Sequence, residues 1–248
     1  MMRFWRDGPL GGLILAFQFL TRLPMPAVER VEARDLAHSS VYFPLVGIVI
    51  GLILSGLMWA LLPRGPWLAA AAVLIGWVWV TGALHLDGLG DVADALGAAH
   101  RKPERFFEVL EDPHAGNFAV VTICLQLVAK LVLVAHIPAA AWYWSLVLIP
   151  AWARWGTLVW SAALPPLKRG LGQDFSSGNS KVGIALWALA LSVASIILAP
   201  ALLAALLLVP AIAFYWRRRL GGVSGDCLGA SVEVAETILL ACVVVGLM

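Results

Sequence analysis

Residues 41–62, VYFPLVGIVIGLILSGLMWALL, run through two dozen ångströms or more of chain without a single charged side chain. About 20 apolar residues are what a helix needs to cross the hydrocarbon core of a bilayer. A helix is the natural form, because its backbone N–H and C=O groups satisfy one another without water. Further runs of the same kind follow at 67–86, 117–136, 139–164, 183–199, 200–216 and 230–248. The sequence therefore predicts an all-α integral membrane protein with about seven transmembrane helices. The whole chain, 1–248, forms a single polytopic membrane domain in this reading, with no internal repeat or soluble domain. The apolar run at 10–20 is too short to cross and suits a re-entrant or interfacial helix.

Composition supports lipid as the main solvent. Of 248 residues, 61% are hydrophobic and 13% charged, against about 25% charged in ordinary soluble domains. A net charge of +2 gives no argument for nucleic acid as a partner. The three cysteines have no paired spacing, so neither a disulfide framework nor a zinc site is indicated. Nearly all lysines and arginines fall in alternate loops: Arg3, Arg6, Arg22, Arg30 and Arg34; Arg101, Lys102 and Arg105; Lys168, Arg169 and Lys181; and Arg217–Arg219. The opposite loops hold only Arg64. By the positive-inside bias the basic side is cytoplasmic, with the N-terminus inside and the C-terminus outside.

Acids are costly in a membrane, and where they occur they tend to be functional. The segment 85–97, HLDGLGDVADALG, places Asp87, Asp91 and Asp94 at i, i+4 and i+7. On a helix they fall within an arc of about 60°. Like charges so placed repel unless a cation neutralises them. An all-oxygen set of this kind suits Mg²⁺ shared with a substrate phosphate. Gly88 and Gly90 leave room for a ligand to approach the backbone, and they also weaken the helix, so a loop carrying the same ligands is the alternative. A second segment, 221–236, GGVSGDCLGASVEVAE, leads a glycine-rich turn into the last apolar run. There Asp226 is a candidate N-cap or metal ligand. Gly225 and its neighbours can present backbone N–H groups to a phosphate. Glu233 and Glu236 lie deeper. Both segments fall on the basic side, so they can share one metal–pyrophosphate site. Asp112, before Pro113, is either a metal ligand or a turn former. Arg154 is a candidate to bind a substrate phosphate oxygen, to pair with an aspartate, or to snorkel to the interface. Lys130 is expected to snorkel outward, away from the site. Trp67 and Trp216 read as interfacial belt residues.

These segments resemble signatures of the adenosylcobinamide-GDP ribazoletransferase (cobalamin synthase) family. Residues 85–97 resemble its HLDGLADTADAL, and 221–236 its GGxTGDxLGAxxExxE. Residues 111–118, EDPHAGNF, and the FPLVG of 43–47 also match, in the family's order. Gly90 stands where alanine is usual, Ser224 where threonine is usual and Ala119 where a second glycine is usual. None of these touches a carboxylate.

The resemblance implies a Mg²⁺-dependent phosphotransferase of the cell inner membrane. It joins adenosylcobinamide-GDP to α-ribazole or α-ribazole 5′-phosphate and releases GMP. On that basis Asp87, Asp91, Asp94 and Asp226 are expected to hold Mg²⁺. Arg154, Gly88 and Gly225 are expected to contact the phosphates. Glu233 is expected to take the proton of the ribazole 3′-hydroxyl, with Asp94 and Glu236 as alternatives. Corrinoid contacts fall to the segments 97–116 or 165–182. A CDP-alcohol-type phosphotransferase of lipid synthesis and an ion-coupled transporter are the competing readings. The first expects an alanine-arginine pair after its second aspartate, where this chain has Val92-Ala93-Asp94. The second expects acids near the bilayer midplane.

Overall fold

The computed structural model describes residues 9–26, 33–99, 105–112, 114–167 and 180–246. The helices are α1 (Pro9–Leu20), α2 (Ala33–Ser39), α3 (Phe43–Leu61), α4 (Pro66–Thr81), α5 (Leu84–Ala99) and α6 (Arg105–Leu110). They continue as α7 (Asn117–Ala135), α8 (Trp142–Ala163), α9 (Lys181–Leu198), α10 (Ala205–Arg219) and α11 (Gly225–Val245). Much of the segment 165–182, with Lys168 and Arg169, lies outside the described residues, as do Arg3, Arg6, Arg30, Arg101 and Lys102.

The protein is an all-α multi-pass membrane protein. Among the described residues, five helices are long and apolar enough to cross a membrane: Ala37–Arg64, Asn117–Ala135, Lys181–Leu198, Pro200–Arg219 and Gly225–Val245. Pro66–Thr81 with Leu84–Ala99 makes a sixth if that bent pair is one span. By length and composition alone that is five or six spans where about seven are expected, and two features account for the difference. The expected span 67–86 is not one helix, since α4 stops at Thr81 and α5 departs at 86° to it. Gly82 (φ 63°) and Ala83 (φ 59°) make that corner in the left-handed region, which glycine enters freely and alanine only at a cost. In addition, α8 is not an apolar lipid-facing rod but the buried centre of the bundle. Its Trp152, Arg154 and Trp160 are wholly enclosed.

The contact between α3 and α8 is the most extensive in the fold. Gly47 and Gly51, one turn apart on α3, make it possible. A Cβ at Gly47 would lie 2.5 Å from the Pro150 carbonyl oxygen, and one at Gly51 would lie 2.5 Å from that of Leu146. Small residues four apart let helix backbones touch where lipid offers no hydrophobic drive. Three indole N–H groups in this interior find acceptors: Trp152 donates to Ser195 Oγ (3.0 Å), Trp160 to the Val209 carbonyl (2.8 Å) and Trp216 to Ser231 Oγ (2.7 Å). Trp216 is thus a packed residue, 4% exposed, and not the belt residue expected. Trp67 is exposed, and its ring meets His136 edge-on.

Candidate active site

After the corner at Gly82–Ala83, α5 runs antiparallel to the first turns of both α11 and α7. His85 lies beside Gly229, and Gly88 lies against Asp226 of α11. On the other side Gly90 meets Ala119 and Ile123 of α7, and Gly97 meets Phe118. A Cβ at Gly88 would stand 2.9 Å from the Asp226 carbonyl oxygen and 3.0 Å from its Cα. The space that Gly88 leaves is therefore filled by the backbone of α11 and not by a ligand, contrary to expectation. Its effect is to bring the two acidic motifs together. A Cβ at Gly225 would meet nothing within 4 Å, so that position faces open space.

The start of α11 is fixed by Ser224 and not by Asp226. The Ser224 side chain caps the helix by accepting the Cys227 N–H at 3.2 Å. The turn before it is pinned to the end of the segment after α8, through Val223 N–H to the Pro165 carbonyl (3.0 Å) and Leu167 N–H to the Val223 carbonyl (3.0 Å). Asp226 then sits in the first turn, where the helix dipole favours a negative charge.

Asp87 is exposed, and Asp91, Asp94 and Asp226 are half-buried. Asp87, Asp226 and Asp94 all stand close enough to Asp91 for their charges to act on it. Among the described residues, no three His, Cys, Asp or Glu side chains close on one point as a preformed metal-binding set. The donor chemistry nevertheless fits a hard cation. The oxygens are crowded and like-charged, and Mg²⁺ commonly takes one or two carboxylates and completes its shell with water and substrate phosphate.

Asp94 has a second task. Its Oδ2 accepts the Gly116 N–H at 2.6 Å and its Oδ1 the Ala119 N–H at 3.0 Å. It thereby caps α7 from a neighbouring helix, satisfying donors that a helix start leaves open. A Cβ at Gly116 would run into this carboxylate at 2.7 Å. Beside it lies an open cavity of about 350 Å³ bounded by Asp94, Val109, Asp112, His114, Gly116 and Phe118. Asp112 forms a tight exposed turn, its Oδ1 accepting from His114 N–H (3.0 Å) and meeting Nδ1 (2.7 Å). Those hydrogen bonds hold its carboxyl below the usual range.

Beneath the aspartates is a buried network that the sequence reading misplaced. Lys130 does not snorkel outward. It is 3% exposed, and its Nζ donates to Glu233 Oε2 (2.7 Å) and Glu236 Oε2 (2.6 Å). The same ammonium lies 4.5 Å from the Trp77 ring centroid. Arg154, wholly buried, donates to Glu236 Oε1 (2.6 Å) and to the Pro150 carbonyl (3.1 Å), with its other terminal nitrogen 3.4 Å from His85 Nδ1. Gln126 Nε2 donates to Glu233 Oε2 (2.9 Å) and Thr237 Oγ1 (2.8 Å). Two cations meet two anions, so the interior carries no net charge through these four groups. Arg154 is thus an ion partner of Glu236 and not the phosphate ligand expected. Glu233, already engaged by Lys130 and Gln126, is poorly placed to serve as a base. The signal was present in the sequence: two acids three residues apart in one apolar span, and single cations in two others.

A sequence model of the family described as "Cobalamin-5-phosphate synthase" matches residues 12–244. The chain belongs to the cobalamin-5-phosphate synthase family. Among relatives, the chain is 51% identical over 240 residues to "Adenosylcobinamide-GDP ribazoletransferase" of Laribacter hongkongensis, covering 94% of this chain and 96% of that protein. It is 50% identical over 240 residues to the protein of the same name in Novosphingobium aromaticivorans, covering 95% and 97%. To that of Thiobacillus denitrificans it is 46% identical over 235 residues, covering 92% and 93%. No solved structure matches the chain. As a member of the cobalamin-5-phosphate synthase family, the chain is a transferase of cobalamin biosynthesis.

Proposed function

We propose that this protein transfers the adenosylcobinamide phosphate moiety of adenosylcobinamide-GDP to α-ribazole or α-ribazole 5′-phosphate and releases GMP. The observation that carries the reading is the meeting of the two acidic motifs where Gly88 admits the backbone of Asp226, in a chain whose relatives bear that enzyme's name. In the reaction the ribazole 3′-oxygen forms a bond to the phosphorus next to cobinamide. The anhydride bond breaks, and GMP leaves with the bridging oxygen.

Asp87, Asp91 and Asp226 are the groups to hold Mg²⁺, with Asp94 beside them fixing the start of α7. When bound, Mg²⁺ neutralises the pyrophosphate and stabilises the departing phosphate. The open side at Gly225 admits the pyrophosphate close to the α11 N-terminus, whose dipole attracts it. Asp94, the acid of α5 not given to the metal, takes the hydroxyl proton in place of Glu233. The cavity beside Asp94 offers Phe118 as an exposed ring for a nucleoside base to stack on. The buried ion network holds α11, α7 and α8 in register under these groups. The protein sits in the cell inner membrane with its basic loops, and so the site, on the cytoplasmic side.

Purified protein supplied with adenosylcobinamide-GDP, α-ribazole and Mg²⁺ is expected to release GMP and form a cobalamin product, both abolished by EDTA. Product formation indifferent to EDTA would remove the metal and keep the reaction. Folded protein that releases no GMP would overturn the reading in favour of lipid alcohol substrates.

A further inference from the structure

Directly behind the aspartates, on the opposite face of α5, lies a second and larger cavity. Helical register puts Leu89, Val92 and Leu96 about half a turn from Asp87, Asp91 and Asp94. Those three apolar residues form one wall of a cavity of about 600 Å³ between α5, α10 and α11, whose other walls include Ala211, Tyr215 and Val234. The volume is in the range of specific small-molecule sites.

Its chemistry excludes the enzyme's charged substrates. The lining is almost wholly apolar, and the Ser231 hydroxyl on its wall is already committed, donating to the Cys227 carbonyl at 2.6 Å and accepting from Trp216 at 2.7 Å. Beyond Ser231 the lining offers only the hydroxyls of Thr122 and Tyr215 and no charged group, too little to satisfy a phosphate, whose burial without partners is costly. An alkyl chain has no such need.

The charge lies at the groove's end. On α10 the positions that line the cavity include Ala211, Ile212 and Tyr215. Arg219 follows one turn beyond Tyr215 on the same face, at the end of the helix and exposed. Arg218 stands beside it, over the Phe214 ring at 4.9 Å. An apolar slot that ends in arginine at a membrane surface has the shape and polarity of a two-part amphiphile.

We infer that this groove binds one anionic phospholipid, its acyl chain between α5, α10 and α11 and its phosphate on Arg219. The site backs directly onto the helix that carries the acids, so the bound chain packs α5 from behind. The inference is independent of which reaction those acids perform.

Full-length protein in detergent, given equal amounts of phosphatidylglycerol and phosphatidylcholine, would be examined by native mass spectrometry. Phosphatidylglycerol is expected to be retained in preference. Arg219→Gln is expected to reduce its retention roughly fivefold, the worth of one basic group near an anionic headgroup, with phosphatidylcholine unchanged. Ala211→Phe, at the exposed rim of the groove, is expected to lower retention of both lipids. An unaltered melting temperature for each variant would show that the fold is intact. Equal retention of the two lipids by the wild type would overturn the headgroup assignment. Retention unaffected by Ala211→Phe would overturn the groove as the site. A lipid-free dimer would overturn both, since a second copy of the chain would then cover this face.

Discussion

Lys130→Met tests the buried network most directly. The substitution keeps an unbranched side chain one atom shorter and removes one charge that is 3% exposed. Glu236 keeps Arg154 as its partner at 2.6 Å, whereas Glu233 is left with only the neutral amide of Gln126 at 2.9 Å. Removing one partner of a buried ion pair costs about 3–5 kcal/mol, because the other charge stays buried and uncompensated. For a chain of this size that corresponds to a fall of roughly 6–20 °C in melting temperature. The double variant Lys130→Met/Glu233→Gln restores neutrality, with Arg154 and Glu236 still paired, and is expected to recover most of the loss. The cycle would be completed with Glu233→Gln and read by thermal unfolding in one detergent. A folded Lys130→Met protein with an unchanged melting temperature would refute the reasoning. So would a double variant no more stable than Lys130→Met alone.

Asp87→Asn and Asp91→Asn are expected to lower GMP release by about 10²–10³-fold, the scale of losing one group that stabilises a transition state, with little change in melting temperature. Gly88→Ala would push against the Asp226 backbone at 2.9–3.0 Å and is expected to cost about 1–3 kcal/mol as well as activity. Gly225→Ala, which meets nothing within 4 Å, is expected to leave the melting temperature nearly unchanged, and the pair can be compared in one unfolding experiment. Asp94→Ala removes the acceptor for two N–H groups at the start of α7 and is expected to cost about 0.5–2 kcal/mol. Hydrogen exchange should localise its effect to residues 116–120.

The helical segments were legible because lipid imposes a simple requirement. Each of the runs at 117–136, 139–164 and 183–199 became a helix within a few residues of its expected ends. The break inside 67–86 was not legible, since a lone Gly82 in an apolar run also suits an unbroken helix, and Ala83 gives no hint that it will adopt a positive φ. The direction of Lys130 is hidden in the sequence for a related reason. Depth in a span says that a cation must find a partner, but only packing shows that α7 turns it toward Glu233 and Glu236. A place at a span end suits an interfacial tryptophan equally well, whereas Trp216 bonds Ser231 across a helix contact.

Within the candidate site, spacing found the aspartates but could not divide their work. Asp87, Asp91 and Asp94 look alike in sequence. The structure gives Asp94 two backbone donors to hold, while Asp87 remains exposed. The same division separates the acids of α11. Asp226 lies in the first turn beside Gly88, whereas Glu233 and Glu236 lie two to three turns deeper, with cations against them. Charge balance explains why both sets persist in one helix. Deep in the bundle an acid is tolerable only when paired, which makes it structural. Near the opening, crowded acids repel one another, and a cation arriving with a phosphate would relieve that repulsion, which is what the proposed metal site asks of them. Gly88 decides which regime each acid enters, because it sets how closely α5 approaches α11 and at what depth the two motifs meet.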